Sequence, residues 1–165
     1  MMGPEQLGRL VDQYAAALTL YARQWCGAPE DVVQEAFLKL VTQPTPPAHV
    51  VPWLYRVVRN AAISASRASH RRRRHEHQAA ERAQPWFLPA EETALDAATA
   101  TRVLEELPAE QREAIVGHLW GGLTFEQLAE VMGTSSSTAH RWYLAGLRAL
   151  RERLDGTCPR KNSTI

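Results

Sequence analysis

Apolar residues recur at every third or fourth position along most of this 165-residue chain, and this spacing is the strongest constraint on its fold. Such spacing gathers apolar side chains on one face of an α-helix. The first such segment has its apolar positions at Leu7, Leu10, Val11, Tyr14, Leu18, Tyr21 and Trp25. We find no segment with the strict apolar–polar alternation of a half-buried strand. The sequence therefore predicts an all-α fold.

Glycine and proline mark the helix boundaries in the first half of the chain. Gly27 ends the first helix, and Pro29 suits the first turn of a second helix. Pro52 opens a third helix, which we expect to continue, bent or broken near Asn60, into a basic helix that ends around Arg74. The Pro-containing, mixed-charge segment 77–95 has no apolar stripe, which is typical of a linker.

The best-defined local signals lie in the last third of the chain. Thr124 and Gln127 fit a capping box, Gly133 stands where a left-handed C-cap residue is needed, and Ser135 suits the N-cap of a following helix. A helix, a short glycine-containing turn and a longer helix make up the helix-turn-helix plan. In that plan the second helix presents its N-terminal part to base edges in the major groove. The outward residues are candidates for DNA contact: Ser136, Ser137, His140 and Arg141 near the bases, and Arg148 and Arg151 nearer the phosphates. An ordinary helical hairpin with a solvated basic face is the alternative.

The formal net charge is only +1, but the charges are sorted along the chain. Residues 37–74 contain no acidic side chain, residues 91–130 are mainly acidic, and residues 140–154 are mainly basic. Two basic zones separated by an acidic one predict two separate contacts with a polyanion. In the first zone Trp53 and Tyr55 stand beside arginines, a combination that suits stacking on bases of single-stranded DNA. Packing in the core is the alternative for Trp53.

Several other classes of function find no support in the sequence. The two cysteines lack metal-ligand spacing, and arginines separate His70 from His75 and His77, so we expect no metal site. We also find no nucleotide-binding loop and no catalytic motif, and we expect neither enzyme activity nor a cofactor. No apolar run is long enough to cross a membrane and the N-terminus has no secretory pattern, which favours a cytoplasmic protein.

Four sequence blocks resemble the bacterial RNA polymerase sigma factors. Residues 29–40 (PEDVVQEAFLKL) and 52–60 (PWLYRVVRN) are similar to the second conserved region of that family, and residues 107–114 (LPAEQREA) and 122–133 (GLTFEQLAEVMG) to its fourth. A short chain with these two regions resembles the extracytoplasmic-function class of the sigma-70 family. The resemblance implies two small helical domains joined by a flexible linker. Their expected bounds are 1–76 for region 2, 77–95 for the linker, 96–155 for region 4 and 156–165 for a polar tail.

The resemblance also implies a role for each region. The expected function is to direct core polymerase to specific promoters and to help melt them; a stand-alone helix-turn-helix regulator is the alternative. The β′ clamp of core polymerase would be bound by Asp31, Gln34, Glu35 and Lys39. The promoter's minus-ten element would be bound by Trp53, Tyr55, Arg56, Arg59, Asn60, Ser64, Arg67 and Arg71, with residues 60–64 matching a loop that holds an extruded base. The minus-thirty-five element would be bound by Ser136, Ser137, His140, Arg141 and Arg148. Further implied partners are the polymerase β flap and an anti-sigma factor of unknown identity. Trp142 stands where the family usually has a basic residue, and we expect it to pack.

Overall fold

The computed structural model describes residues 3–75 and 94–157, and every regular element within these ranges is a helix. The elements are α1 (Pro4–Ala22), α2 (Pro29–Thr42), α3 (Val50–His75), α4 (Ala94–Glu105), α5 (Ala109–Ile115), a π-helical turn (Val116–Trp120), α6 (Phe125–Met132) and α7 (Ser136–Thr157). The predicted all-α fold is confirmed. Most of the predicted linker and tail lies outside the described residues, while residues 94 and 95 already belong to α4. Among the described helices, none has the length and apolar character needed to cross a membrane.

Helices α1 to α3 form the N-terminal half. Pro29 is the first residue of α2, and its acidic first turn suits the positive end of the helix dipole. One face of α2 is buried, with Val33, Phe37 and Leu40 packed toward the other two helices.

Helix α3 is uninterrupted over 26 residues, and the break expected near Asn60 does not occur. The segment after Asn60 contains no glycine or proline, and Ala61, Ala62 and Ala65 favour a helix. The expectation that residues 60–64 form a loop around an extruded base is therefore wrong for this conformation. These residues lie in the middle of a helix instead.

The helix-turn-helix is formed as its local signals predict. Thr124 Oγ1 accepts a hydrogen bond from the amide of Gln127 at 3.2 Å, and Gln127 Oε1 accepts one from the amide of Thr124 at 2.9 Å. Gly133 closes α6 with φ +69°. Ser135 Oγ accepts a hydrogen bond from the amide of Thr138 at 3.2 Å and so caps the N-terminus of α7.

The helix-turn-helix is fixed to the preceding helices by close packing. Ile115 of α5 is fully buried with Leu104 and Leu107, and Leu147 of α7 packs against this cluster. A Cβ atom added to Gly146 would lie 2.6 Å from Ile115 Cδ1, so only glycine lets α7 approach α5 this closely.

The two helical halves pack on each other, and buried residues from both halves share one contiguous cluster. Tyr21 of α1 and Tyr55 of α3 are fully buried together with Val116, Leu123 and Leu128 from the C-terminal half. A Cβ atom added to Gly121 would lie 2.8 Å from Tyr55 Oη, and one added to Gly117 would lie 2.6 Å from Leu128 Cδ2. Glycine at these two positions thus leaves room for Tyr55 and Leu128.

Candidate nucleic-acid and protein interfaces

The predicted polymerase-binding residues lie together on the solvent face of α2. Asp31, Gln34, Glu35 and Lys39 are all exposed, opposite the buried face of the helix. Lys39 Nζ lies 2.7 Å from Glu35 Oε1, one helical turn away. An exposed pair of this kind adds little stability. The face is therefore mainly polar, of mixed charge and open to a partner, and it includes Leu38, which is 59% exposed.

A shallow polar cavity connects this face to α3. It has a volume of about 470 Å³ and is lined by Glu35 and Lys39 from α2 and by Val57, Asn60, Ala61 and Ser64 from α3. Asn60 and Ser64 are exposed, and they contribute an amide and a hydroxyl group to the cavity. The structure thus places two predicted minus-ten residues directly beside the predicted polymerase face.

A polar and basic stripe continues from this cavity along α3. Asn60, Ser64, Arg67 and Arg71 are exposed at intervals of four, three and four residues, which places them on one side of the helix. Residues 71–74 are all exposed arginines. This stripe suits contact with a phosphate backbone.

Of the other four predicted minus-ten residues, Tyr55, Arg56 and Arg59 contact the second half of the chain. Trp53 is partly buried against the core. Tyr55 is fully buried; its hydroxyl lies 3.4 Å from the carbonyl oxygen of Gly121, and its ring meets that of Tyr21 edge-on at 4.9 Å. Burial raises the pKa of Tyr55 above its ordinary value. In this conformation Tyr55 cannot contact DNA, because it lies on the buried stripe of α3 with Leu54 and Val58.

Two arginines of α3 form ion pairs with the second half of the chain. Arg59 binds Glu113 of α5 with two hydrogen bonds, from Nε to Oε1 at 2.6 Å and from Nη2 to Oε2 at 3.2 Å. Arg56 Nη1 lies 3.6 Å from Glu130 Oε1 of α6, and both of these side chains are exposed. The first pair is bidentate and largely removed from water, whereas the second is open to screening by salt.

Glu113 is buried at this contact, with only 2% of its surface exposed. The Tyr21 hydroxyl donates to Glu113 Oε1 at 2.5 Å, so the carboxylate accepts three hydrogen bonds from the first half of the chain. Burial and the charge of Glu113 raise the pKa of Tyr21 well above its ordinary value. Burial by itself would lower the pKa of Arg59, but the hydrogen bond and charge of Glu113 outweigh it and raise that pKa.

The predicted recognition helix is open to solvent. Ser137, His140, Arg141 and Arg148 of α7 are exposed, and Ser136 is half-buried. Arg141 Nη2 lies 3.4 Å from Thr138 Oγ1, and the His140 ring meets Phe125 edge-on at 4.7 Å. Trp142 is also half-buried. The structure thus leaves the outward face of α7 free for duplex DNA.

Comparison with known families identifies both halves of the chain. The family model described as sigma-70 region 2 matches residues 10–74, and the model described as sigma-70, region 4 matches residues 98–150. Together they cover more than two thirds of the sequence. The chain belongs to the sigma-70 family. This confirms the family expected from the sequence. Regions 2 and 4 occur in the expected order, and their presence in a short chain agrees with the extracytoplasmic-function class of the family.

A curated relative and two solved structures are similar to this sigma-70 family member. A protein of Xanthomonas campestris pv. campestris described as "Probable RNA polymerase sigma factor RfaY" is 30% identical over 147 residues, which cover 81% of this chain and 36% of the relative. The chain thus spans about a third of that relative's length. The sigma factor RpoE from Bartonella quintana, solved with the anti-sigma factor NepR, has a TM-score of 0.72 at 22% identity over 90% of this chain and 96% of RpoE. CnrH, solved with the cytosolic domain of CnrY, has a TM-score of 0.65 at 22% identity over 94% of this chain and 92% of CnrH. These two structures share its two-domain helical fold.

Glu113 is not among the contact residues predicted from the sequence of this sigma-70 chain. The charge pattern identifies the acidic segment 91–130 only as a spacer between two basic zones. The available signal was that Glu113 directly precedes the apolar run 114–116, where a charged side chain is buried only when it is paired. The residue that pairs with Glu113 could not be predicted from nearby sequence, because Arg59 lies 54 positions earlier.

Proposed function

We propose that this chain is an RNA polymerase sigma factor that binds core polymerase, directs it to specific promoters and helps to melt them. The supporting observation is that one sigma-70 family chain presents both an open polar face on α2 and an open helix-turn-helix. A stand-alone helix-turn-helix regulator would not account for the region 2 match over residues 10–74. The proposed activity is recognition, with no catalytic residue and no cofactor of its own, and it takes place on polymerase in the cytoplasm.

The polar face of α2 is the proposed contact with the β′ clamp. Its mixed charges suit a polar protein surface, because complementary charge speeds association and fixes orientation. Asp31, Gln34, Glu35 and Lys39 would make this contact. Region 4 would meet the β flap while its recognition helix holds DNA.

The exposed stripe of α3 is the proposed contact with the minus-ten element. Arg67 and Arg71 would neutralise phosphates, and Asn60 and Ser64 would meet the non-template strand at the cavity they share with α2. Extruding a base costs a few kcal/mol of stacking, which contacts at such a cavity would offset. Trp53 and the exposed Arg56 would flank this surface, and Tyr55 and Arg59 would join it only after region 4 moves away from them.

The outward face of α7 is the proposed contact with the minus-thirty-five element. Arg141 has the planar, two-pronged donor geometry that matches guanine O6 and N7. Ser136, Ser137 and His140 would meet base edges or phosphates beside it. Arg148 lies two turns further along the helix and would meet a phosphate.

An anti-sigma factor is a further proposed partner. RpoE, which shares the fold, was solved with the anti-sigma factor NepR. The identity of such a partner for this chain is to be found by co-purification, with direct inhibition of transcription as the criterion.

The decisive experiment is in vitro transcription with core polymerase on a library of random promoters. The wild-type protein should yield transcripts from a defined promoter class. The double charge reversal Asp31→Lys and Glu35→Lys should abolish both pull-down of core polymerase and transcription, while binding to duplex DNA is kept. Asp12→Lys, at an exposed acidic residue of α1, is the matched control and should leave both intact. Specific DNA binding by the wild-type protein without any pull-down of polymerase would instead identify a stand-alone regulator.

A further inference from the structure

One large apolar side chain stands on the outward face of α7. The inward side of this helix is well packed: Ala139 is buried in the main core cluster, and Tyr143 and Leu147 pack against the cluster around Ile115. Leu144 lies outside this apolar stripe, and 46% of its surface is exposed. Leu144 therefore contributes little to the core of region 4.

The residues that share this side of α7 with Leu144 are polar or basic. Three exposed residues lie seven and three positions before Leu144 and four positions after it, which places all of them on one side of the helix: Ser137, Arg141 and Arg148. A single exposed leucine is common on protein surfaces and carries little information by itself. Leu144 is informative because it lies in the middle of the stripe that the proposed function assigns to duplex DNA.

The chemistry of the major groove limits what a leucine can recognise there. The groove presents one kind of apolar group, the C5-methyl group of thymine, and the other recognition groups on the base edges are hydrogen-bond donors and acceptors. A leucine that covers a donor or an acceptor leaves it without a partner, which costs free energy. Leu144 therefore fits a base pair that contains thymine better than any other.

The place of Leu144 along α7 also agrees with a base contact. A helix rises about 1.5 Å per residue, so Leu144 lies about 4.5 Å beyond Arg141 along the axis. Successive base pairs are about 3.4 Å apart. Recognition helices reach bases with side chains spread over about two turns, which is the distance from Ser137 to Leu144. Arg141 and Leu144 are thus placed to meet the same base pair or two adjoining ones.

We propose that Leu144 is a specificity-determining residue of region 4, which recognises the methyl group of a thymine in the minus-thirty-five element. This thymine lies in the base pair that Arg141 contacts or next to it. The proposal rests on the proposed assignment of α7 to this element, and it adds the identity of one base and the group that is read. Arg141 selects by hydrogen bonds, whereas Leu144 selects by burying a methyl group.

The test removes the methyl group without changing the base pairing. Deoxyuridine pairs with adenine as thymine does and lacks only the C5-methyl group. The full-length chain first selects a duplex from a random library, and each thymine of that duplex is then replaced in turn by deoxyuridine. Fluorescence anisotropy measures the affinity for each duplex. We expect one replacement, at or beside the base pair that Arg141→Ala relaxes, to weaken binding about fourfold, which is the effect of losing one buried methyl group.

Leu144→Ala shows whether this side chain is the one that reads the methyl group. Alanine favours a helix but is too short to reach the groove, so the variant should bind the thymine and deoxyuridine duplexes equally well. Leu154→Ala is the matched control, because Leu154 is also an exposed leucine of α7, at 39%, but lies ten positions further along the helix. It should keep the fourfold difference. Far-UV circular dichroism establishes that the helices are intact, and Leu144→Gln replaces Leu144→Ala if they are not.

Two results would overturn the proposal. In the first, no deoxyuridine replacement weakens binding by the wild-type chain, an outcome that does not depend on the folding of any variant. In the second, the fourfold difference persists without the leucine, so that another residue reads the methyl group or Leu144 acts only through the fold.

Failure of this proposal is distinguishable from failure of the proposed function. If the chain alone selects no duplex, the same deoxyuridine replacements are made in a promoter obtained by transcription with core polymerase, and transcript yield is measured instead of affinity. A defined promoter class whose yield is insensitive to every thymine methyl group would reject the role of Leu144 and retain the proposed function. The absence of any promoter class would reject both.

Discussion

Arg59 and Glu113 form a bidentate ion pair between region 2 and region 4, although they are 54 positions apart in the chain. The carboxylate is buried and the guanidinium is partly buried, with side-chain exposures of 3% and 26%. A buried ion pair of this kind affects stability mainly because removal of one partner leaves the other charge buried without compensation. It therefore links the packing of region 4 on region 2 to the pairing of Arg59.

Removing the Glu113 carboxylate should destabilise the folded chain. Glu113→Ala leaves the partly buried Arg59 and the buried Tyr21 hydroxyl without their acceptor, and we expect a decrease of about 3 kcal/mol in the free energy of unfolding. Urea denaturation followed by circular dichroism measures it. Glu130→Ala removes the exposed partner of Arg56 and should cost less than about 1 kcal/mol. Equal decreases in the two variants would show that burial of the Glu113 contact has no energetic consequence.

The elements that could be predicted from the sequence are those with local signals. The capping box at Thr124, the left-handed Gly133 and the Ser135 cap each depend on residues within four positions, and all three are formed. The polar face of α2 could also be predicted from the sequence, because helical spacing alone determines which residues lie opposite a buried stripe.

The parts that were missed depend on distant residues. Tyr55 was assigned to DNA because it stands beside arginines, yet it is buried by the π-helical turn and bonds to Gly121, 66 positions later. Helix α3 was expected to break near Asn60, but tertiary packing and the alanines that follow outweigh the lower helix propensity of one asparagine. Residues on one helix face can be identified from the sequence, whereas the surface that covers them depends on how the two regions meet.

The approach of α7 to α5 should depend on glycine at position 146. A Cβ atom there would lie 2.6 Å from Ile115 Cδ1 and 3.2 Å from Gln111 Cβ, so Gly146→Ala should destabilise the chain by about 1–3 kcal/mol. Ile115→Val removes the closest atom, and the double variant should be destabilised by less than the sum of the two single variants. Gly8→Ala is the control, since Gly8 lies within α1 with no atom within 4 Å of the added Cβ, and it should be neutral or stabilising. Urea denaturation measures the wild type and all four variants, and a Gly146→Ala variant as stable as wild type would show that α7 can shift without cost.

DNA binding should weaken steeply as salt is added, because both basic zones are proposed to bind phosphates. Removal of one phosphate-binding side chain should reduce the slope of log affinity against log salt by about 0.7–0.9. Arg67→Ala and Arg71→Ala should each show such a reduction, measured by anisotropy on a forked promoter fragment at several salt concentrations. Arg9→Ala removes an exposed arginine of α1 and should leave the slope unchanged. If the slopes are the same for the wild type and all three variants, then Arg67 and Arg71 of α3 do not contact phosphates.

Arg141 and Arg148 should differ in what they contribute to recognition of the upstream element. Both are exposed on α7, but Arg141 lies in its first two turns, where helix-turn-helix proteins approach base edges. Arg141→Ala should therefore relax the preference at one base pair by about 1–3 kcal/mol. Arg148→Ala should weaken binding uniformly across sequences, as the removal of a phosphate contact does. Selection of bound duplexes from a random library, followed by sequencing, measures both effects at once. An unchanged base preference in Arg141→Ala would assign Arg141 to the phosphates and would leave Ser136, Ser137 and His140 as the residues that face the bases.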